Sequence, residues 1–307
     1  MLSLLMDGAV FTARQARAGG ISSRVLTKLV AAGRVRRLLY DAYVDALVTD
    51  TPELRCAAAA LVMPPSAVIC RRTASWVYGF DAYAPNARDE ALRVECVVPA
   101  RLARVRRMGV WGWEETLRPE DITQVGGIPV TTPTRTAVDL ARYTPRFMGL
   151  AALDNLCHRG LTDPAQLMAC AERFAGGRNI ATARQLIIWV EPLTESPGES
   201  WVRLRILDAG FPRPEAQIKM CDARGREVYR LDLGYRERRV GLEYDGLKDH
   251  DSDEDREHDS ERRERLEREF GWVTYGFDRG HVLGREPVVE LLVGELLEME
   301  PRLPRRW

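Results

Sequence analysis

Between residues 228 and 246 the chain alternates. Leu231, Leu233 and Tyr235, then Val240, Leu242 and Tyr244, are apolar at every second place, the period of a strand with one buried face. The polar Arg236-Glu237-Arg238-Arg239 between them reads as the loop of a hairpin. That register sets Tyr235 against Val240 and Asp232 directly opposite Glu243. Directly opposed residues have Cβ atoms roughly 4.5–5.5 Å apart, where like charges repel. A divalent cation removes the repulsion, and hard oxygen ligands at this separation suit Mg²⁺ or Mn²⁺. Gly234 and Gly241, on the same face, are expected to leave room for a phosphate backbone. The alternative is a solvated sheet face on which the two carboxylates lean apart.

Helical periodicity and capping signals dominate elsewhere. Residues 12–20, then Ile21 to Gly33, read as helix, glycine turn and a second helix capped by Ser22 or Ser23. Arg34 to Val44 reads as a β-wing, which makes residues 1–50 a winged helix-turn-helix. This segment holds seven Arg and Lys against four Asp. Arg24, Lys28, Arg34, Arg36 and Arg37 are placed to meet phosphates, and Ser23, Arg24 and Thr27 to reach base edges. The competing reading is a small helical domain used for protein contacts. Residues 51–145 form an α/β region with a strand over Leu92 to Pro99, four arginines in Arg101–Arg107 that can track a nucleic-acid backbone, and a turn over Thr131 to Arg135 before the helix Thr136 to Ala141. Residues 146–190 form a helical connector (Met148–Arg159, Pro164–Phe174, Ala181–Trp189), and Glu191–Pro197 is the boundary before a last domain over 191–307.

Composition narrows this picture. A chain of 307 residues with 45% hydrophobic content has room for several buried cores. Its six cysteines show no metal-ligand spacing and read as reduced thiols. No apolar run approaches the roughly 20 residues of a membrane span, and Met1 to Met6 lacks the basic start of a signal peptide, so a cytoplasmic protein with no membrane partner is expected. The formal net charge is +0; nucleic-acid contacts must therefore come from local basic patches. No phosphate-binding loop, dinucleotide turn or serine-hydrolase elbow is present.

Two resemblances add to this reading. Ser196-Pro-Gly-Glu-Ser200, Gln217, Asp232, Glu243-Tyr-Asp-Gly246, His250 and Gly271-Trp-Val273 resemble the very-short-patch-repair-like endonucleases of the PD-(D/E)XK superfamily. The resemblance covers about the last third of the chain. It implies a mixed sheet flanked by helices and Mg²⁺-dependent cleavage of DNA, with Asp232, Glu243 and Glu199 as metal-binding acids. The chain departs from the wider superfamily at Asp245, which stands where a Lys is usual. Asp245 could bind a second metal, accept the proton of the attacking water, or pair with Arg230 across the strands. His250 matches a histidine of that branch, either general base or water holder, against the plainer reading of a solvated side chain. Glu199 is also the third residue of a capping box begun by Ser196. Arg262 and Arg263, in the charged helix Ser260 to Phe270, lie near basic residues that contact phosphate in the family. Trp272 to Phe277 and Pro287 to Met299 read as a closing strand and helix.

The first half resembles the abortive-infection type of antitoxin from type IV toxin–antitoxin systems, through the N-terminal segment, Arg71–Phe80 and Gly127–Ala141. That resemblance implies operator binding and a toxin partner or homodimer. The expectation is thus a multi-domain α/β protein: an N-terminal winged helix-turn-helix, an antitoxin-like middle, and a restriction-endonuclease-like domain that cleaves or nicks DNA in defence or repair. The alternative is a transcriptional regulator or antitoxin whose nuclease fold is inactive. Action on RNA or single strands stays open.

Overall fold

The computed structural model describes residues 8–82, 93–246 and 264–303. It is a mixed α/β protein that divides into two compact units, Met1–Leu140 and Ala141–Trp307.

The first unit opens with α1 (Ala13–Ala18) and α2 (Ser23–Ala31), followed by the antiparallel pair β1 (Val35–Leu39) and β2 (Ala42–Asp45). Thr12 and Gln15 close a reciprocal capping box at α1, and Ser22 caps α2. Phe11, Ala16, Ile21, Leu26 and Val35 form a small core under both helices. Phe11 also bridges to Tyr43 as a third strand contact. The arrangement is helix, turn, helix and wing, as the caps and alternation predict. It is not a separate domain, because Leu38, Leu39, Ala42 and Val44 share a core with Ala58 and Ala59 of α3 (Pro52–Val62) and with the sheet beyond. The apolar face of the wing is thus buried against the middle region, and no linker stands at residue 50.

That sheet has five strands in the order β5-β4-β3-β7-β6: β3 (Val68–Ile69), β4 (Val94–Pro99), β5 (Val110–Glu115), β6 (Ile122–Val125) and β7 (Ile128–Thr131). α4 (Arg71–Val77) follows β3, and α5 (Pro133–Tyr143) follows β7. The helix begins at Pro133 and takes up part of the turn expected over Thr131 to Arg135. Arg135, 1% exposed, meets three carboxylates there: Asp139 at 2.7 Å, Asp121 at 3.2 Å and Glu115 at 2.6 Å.

In the second unit α6 (Arg146–His158) packs against α9 (Pro197–Asp208), and α8 (Ile180–Ile188) packs against both α6 and α7 (Pro164–Glu172). The helical connector and the last domain are therefore one body. Asp154 of α6, fully buried, accepts hydrogen bonds from Ser200 (2.7 Å), from Glu191 N (2.8 Å) and from Arg203. The sheet that follows has the order β11-β10-β9-β8, from β8 (Glu215–Cys221), β9 (Glu227–Tyr235), β10 (Val240–Tyr244) and β11 (Val273–Phe277). Its first three strands are antiparallel neighbours and β11 lies parallel to β10. Residues 264–270 are helical, and α10 (Arg279–Leu283) and α11 (Val288–Leu297) close the chain. One core joins α9, α10 and α11 to one face of the sheet, and a second, with Ile218, Leu231, Leu266 and Trp272, covers the other.

No described helix is long and apolar enough to cross a membrane. All six cysteines are free, and only Cys221 is exposed.

Candidate functional site

The hairpin has the predicted register: Tyr235 pairs with Val240, Gly234 with Gly241 and Leu233 with Leu242. Arg236 to Arg239 form the loop, closed by Arg238 N to Tyr235 O and Arg239 N to Arg236 O. Continuing the register brings Asp232 opposite Glu243, at the point where the recorded ladder stops. Here Asp232 Oδ2 accepts the backbone N–H of Tyr244 at 3.0 Å. Asp232 is half-buried and Glu243 is 8% exposed.

The N-terminus of α9, which carries Glu199, reaches the same region through two contacts. A Cβ added to Gly198 would lie 1.9 Å from the Tyr244 ring, so only glycine lets the N-terminus of α9 close on the end of β10. Tyr244 also meets Trp201 edge to face, at 5.9 Å between centroids. The Glu199 side chain does not complete the expected capping box. Ser196 accepts from Glu199 N (3.2 Å), but Glu199 Oε2 takes Glu195 N (3.1 Å) and Gln217 Nε2 (2.9 Å).

Gln217 stands across from Asp232, with a φ of 53° in the middle of β8. The pairs on either side of it, Ala216–Leu233 and Ile218–Leu231, belong to different core clusters. The left-handed residue turns the strand over at this place. Such a conformation costs on the order of 1–3 kcal/mol and gathers at functional sites. Periodicity assumes an unbroken strand and cannot show it.

Glu199 is 4% exposed and forms no ion pair among the described residues. A buried carboxylate whose partners are neutral is costly and is suited to a cation. The donor set is all carboxylate oxygen, which fits a hard divalent ion held by one or two acids with water and phosphate completing its shell. Among the described residues no three His, Cys, Asp or Glu side chains gather into a group that could hold a metal ion, so Asp232 and Glu243 are the pair on which such a site would rest.

Other expectations change. Gly234 and Gly241 do not open a path for phosphate: a Cβ at Gly234 would meet Val240 O, Ile218 and Trp272, and one at Gly241 would meet Leu231 and Thr274. They are glycines because the second core presses on that face. Arg230 pairs with Glu195 at 3.0 Å and Lys219 with Glu227 at 3.1 Å. Asp245 is half-buried, and its N–H donates to Phe277 O at 2.9 Å. His250, Arg262 and Arg263 lie outside the described residues.

In the first unit, Arg24, Lys28 and Arg34 are exposed on α2 and the turn after it. Ser23 accepts from Arg17 at 3.0 Å, and the Thr27 hydroxyl donates to Ser23 O at 2.9 Å. Arg37 is exposed beside Tyr40, its guanidinium 5.1 Å from the ring centroid. Arg36 turns inward and donates to Val48 O at 2.7 Å, so its charge holds the wing to the following loop.

The model of the AbiEi antitoxin C-terminal domain matches residues 67–188. The uncharacterized proteins Rv2248 and MT2308 of Mycobacterium tuberculosis are each 29% identical to this chain over 246 residues, which covers 78% of this chain and 84% of theirs. The middle of the chain is thus antitoxin-like, and its similarity to the mycobacterial proteins extends well beyond that region.

Proposed function

We propose that the second unit hydrolyses phosphodiester bonds in DNA with a Mg²⁺ or Mn²⁺ ion, and that the helix-turn-helix of the first unit holds the DNA. The observation that carries this reading is the meeting of Asp232, Glu243 and the helix end bearing Glu199 at one end of the sheet, with Glu199 satisfied only by neutral donors. Asp232 and Glu243 would hold the ion, which when bound supplies positive charge for the phosphate and a more acidic water. Gln217 fixes the Glu199 carboxylate through its 2.9 Å hydrogen bond. Tyr244 ties the acids together, since its N–H orients Asp232 and its ring seats α9 through Gly198. Asp245, one residue beyond, would accept the proton of the attacking water. Exposed Arg24, Lys28, Arg34 and Arg37 supply phosphate contacts that weaken as salt rises.

A second reading is favoured by the antitoxin-like match over residues 67–188 and by Asp245 at the usual lysine position. In it the protein is a DNA-binding regulator or antitoxin, with a toxin or a second copy as partner, and its nuclease fold is inactive. Supercoiled plasmid incubated with the full chain and Mg²⁺ or Mn²⁺ separates the two. Nicking that disappears in Asp232→Ala and Glu243→Ala supports hydrolysis. Intact plasmid with both metals, together with tight binding to its own promoter, supports the regulator.

A further inference from the structure

In the first unit β5 forms one edge of the five-stranded sheet. Trp111 and Trp113 stand two residues apart on it, both half-buried, their ring centroids 6.5 Å apart at an interplanar angle of 66°. Each indole is braced by arginine: Arg71 lies 3.9 Å over Trp113, and Arg72 and Arg93 lie 5.4 and 4.8 Å over Trp111. Between the two rings, Gly112 lets the preceding segment come close, since a Cβ there would sit 2.3 Å from Val105 O. Val105 is buried by this approach, and Arg104 and Arg106 on either side of it are exposed. Neither forms an ion pair among the described residues. Together the two rings and these arginines line a groove of about 620 Å³.

We propose that this groove binds single-stranded nucleic acid, with bases stacking on Trp111 or Trp113 and Arg104 and Arg106 meeting the phosphates. Arginines alone would serve any polyanion. Accessible indole surface beside them selects unstacked bases, because a duplex keeps its base faces covered while a single strand offers them to aromatic side chains. Among the described residues no further strand pairs with the free edge of β5, and the arginine bracing pre-orients the rings, so little side-chain freedom is lost on binding. Gly112, whose missing Cβ would point to the face of β5 opposite the indoles, lets Val105 pack on the strand and so holds the Arg104–Arg106 segment along it.

The site does not depend on the proposed hydrolysis and is tested without it. Fluorescence anisotropy in EDTA is measured for the full chain with labelled oligothymidine or oligouridine of about 12 nucleotides, and with a hairpin duplex of equal charge. Single strands should bind, with affinity falling as salt rises. Arg104→Glu with Arg106→Glu, both at exposed positions, should weaken single-strand binding about tenfold and leave duplex binding within about twofold. Trp111→Leu should also cost about tenfold, whereas Trp111→Phe, which keeps a stacking face, should stay within about threefold of wild type. Circular dichroism establishes that each variant is folded. Single-strand affinity unchanged in folded Arg104→Glu/Arg106→Glu, or single-strand and duplex affinities falling together, would overturn the proposal.

Discussion

Carboxylates are buried in both units, and their partners differ. In the first, Glu115, Asp121 and Asp139 converge on the guanidinium of Arg135, so the charges are met inside the protein and the cluster is complete as it stands. In the second, the buried Glu199 carboxylate is held by an amide and a backbone N–H. Residue type is the same in both places. What separates Glu199 from the structural acids of the first unit is that, among the described residues, no arginine pairs with it.

Removing the internal counter-charge gives the largest expected effect. Arg135→Met leaves three acids facing one another without their common partner and should cost about 3–5 kcal/mol of stability, read from urea unfolding. Glu199→Gln, by contrast, keeps the shape and removes a charge that no arginine meets, so stability should change by less than about 1 kcal/mol while plasmid nicking falls. A loss as large as that of Arg135→Met would show that Glu199 is structural and break the contrast. Next in size is Gly198→Ala, which sets a methyl group into the Tyr244 ring and should cost about 1–3 kcal/mol along with activity. Gln217→Ala should reduce nicking roughly 10- to 100-fold, the range for residues that orient metal ligands, and leave DNA binding by the first unit unchanged in gel shifts. The smallest effect concerns thiols. Burial pushes Cys56 up to about 11 and Cys96 and Cys157 up to about 12, and Cys221 is the exposed one. Iodoacetamide at pH 8 should therefore label Cys221 alone in the native protein, as peptide mapping would show.

The hairpin was legible because alternation and a polar four-residue loop specify a register, and that register is the one observed at Tyr235 and Val240. The helices with capping residues were legible for a similar local reason: Ser22 and Ser196 announce their N-termini. Features that depend on distant residues were not. The Arg135 cluster joins positions from one helix, one strand and the turn at Asp121, and the Asp154–Arg203 pair spans a stretch that reads as a domain boundary at Glu191 to Pro197. Gly234 and Gly241 looked like clearances for a ligand, because a sequence shows a missing side chain but not the neighbour that fills its place. Gln217 is the sharpest case. It lies in a run of strand residues, yet its left-handed backbone turns β8 over opposite Asp232 and carries its amide to Glu199.

The proposal that most needs a test is that Asp232 and Glu243 take a divalent ion at the end of the sheet near which Glu199 is held by neutral donors. Crystals soaked in Mn²⁺ and measured at the manganese edge test it directly. The account predicts an anomalous peak between the Asp232 and Glu243 carboxylates that is lost in Asp232→Asn. No manganese peak there at saturating metal would contradict it.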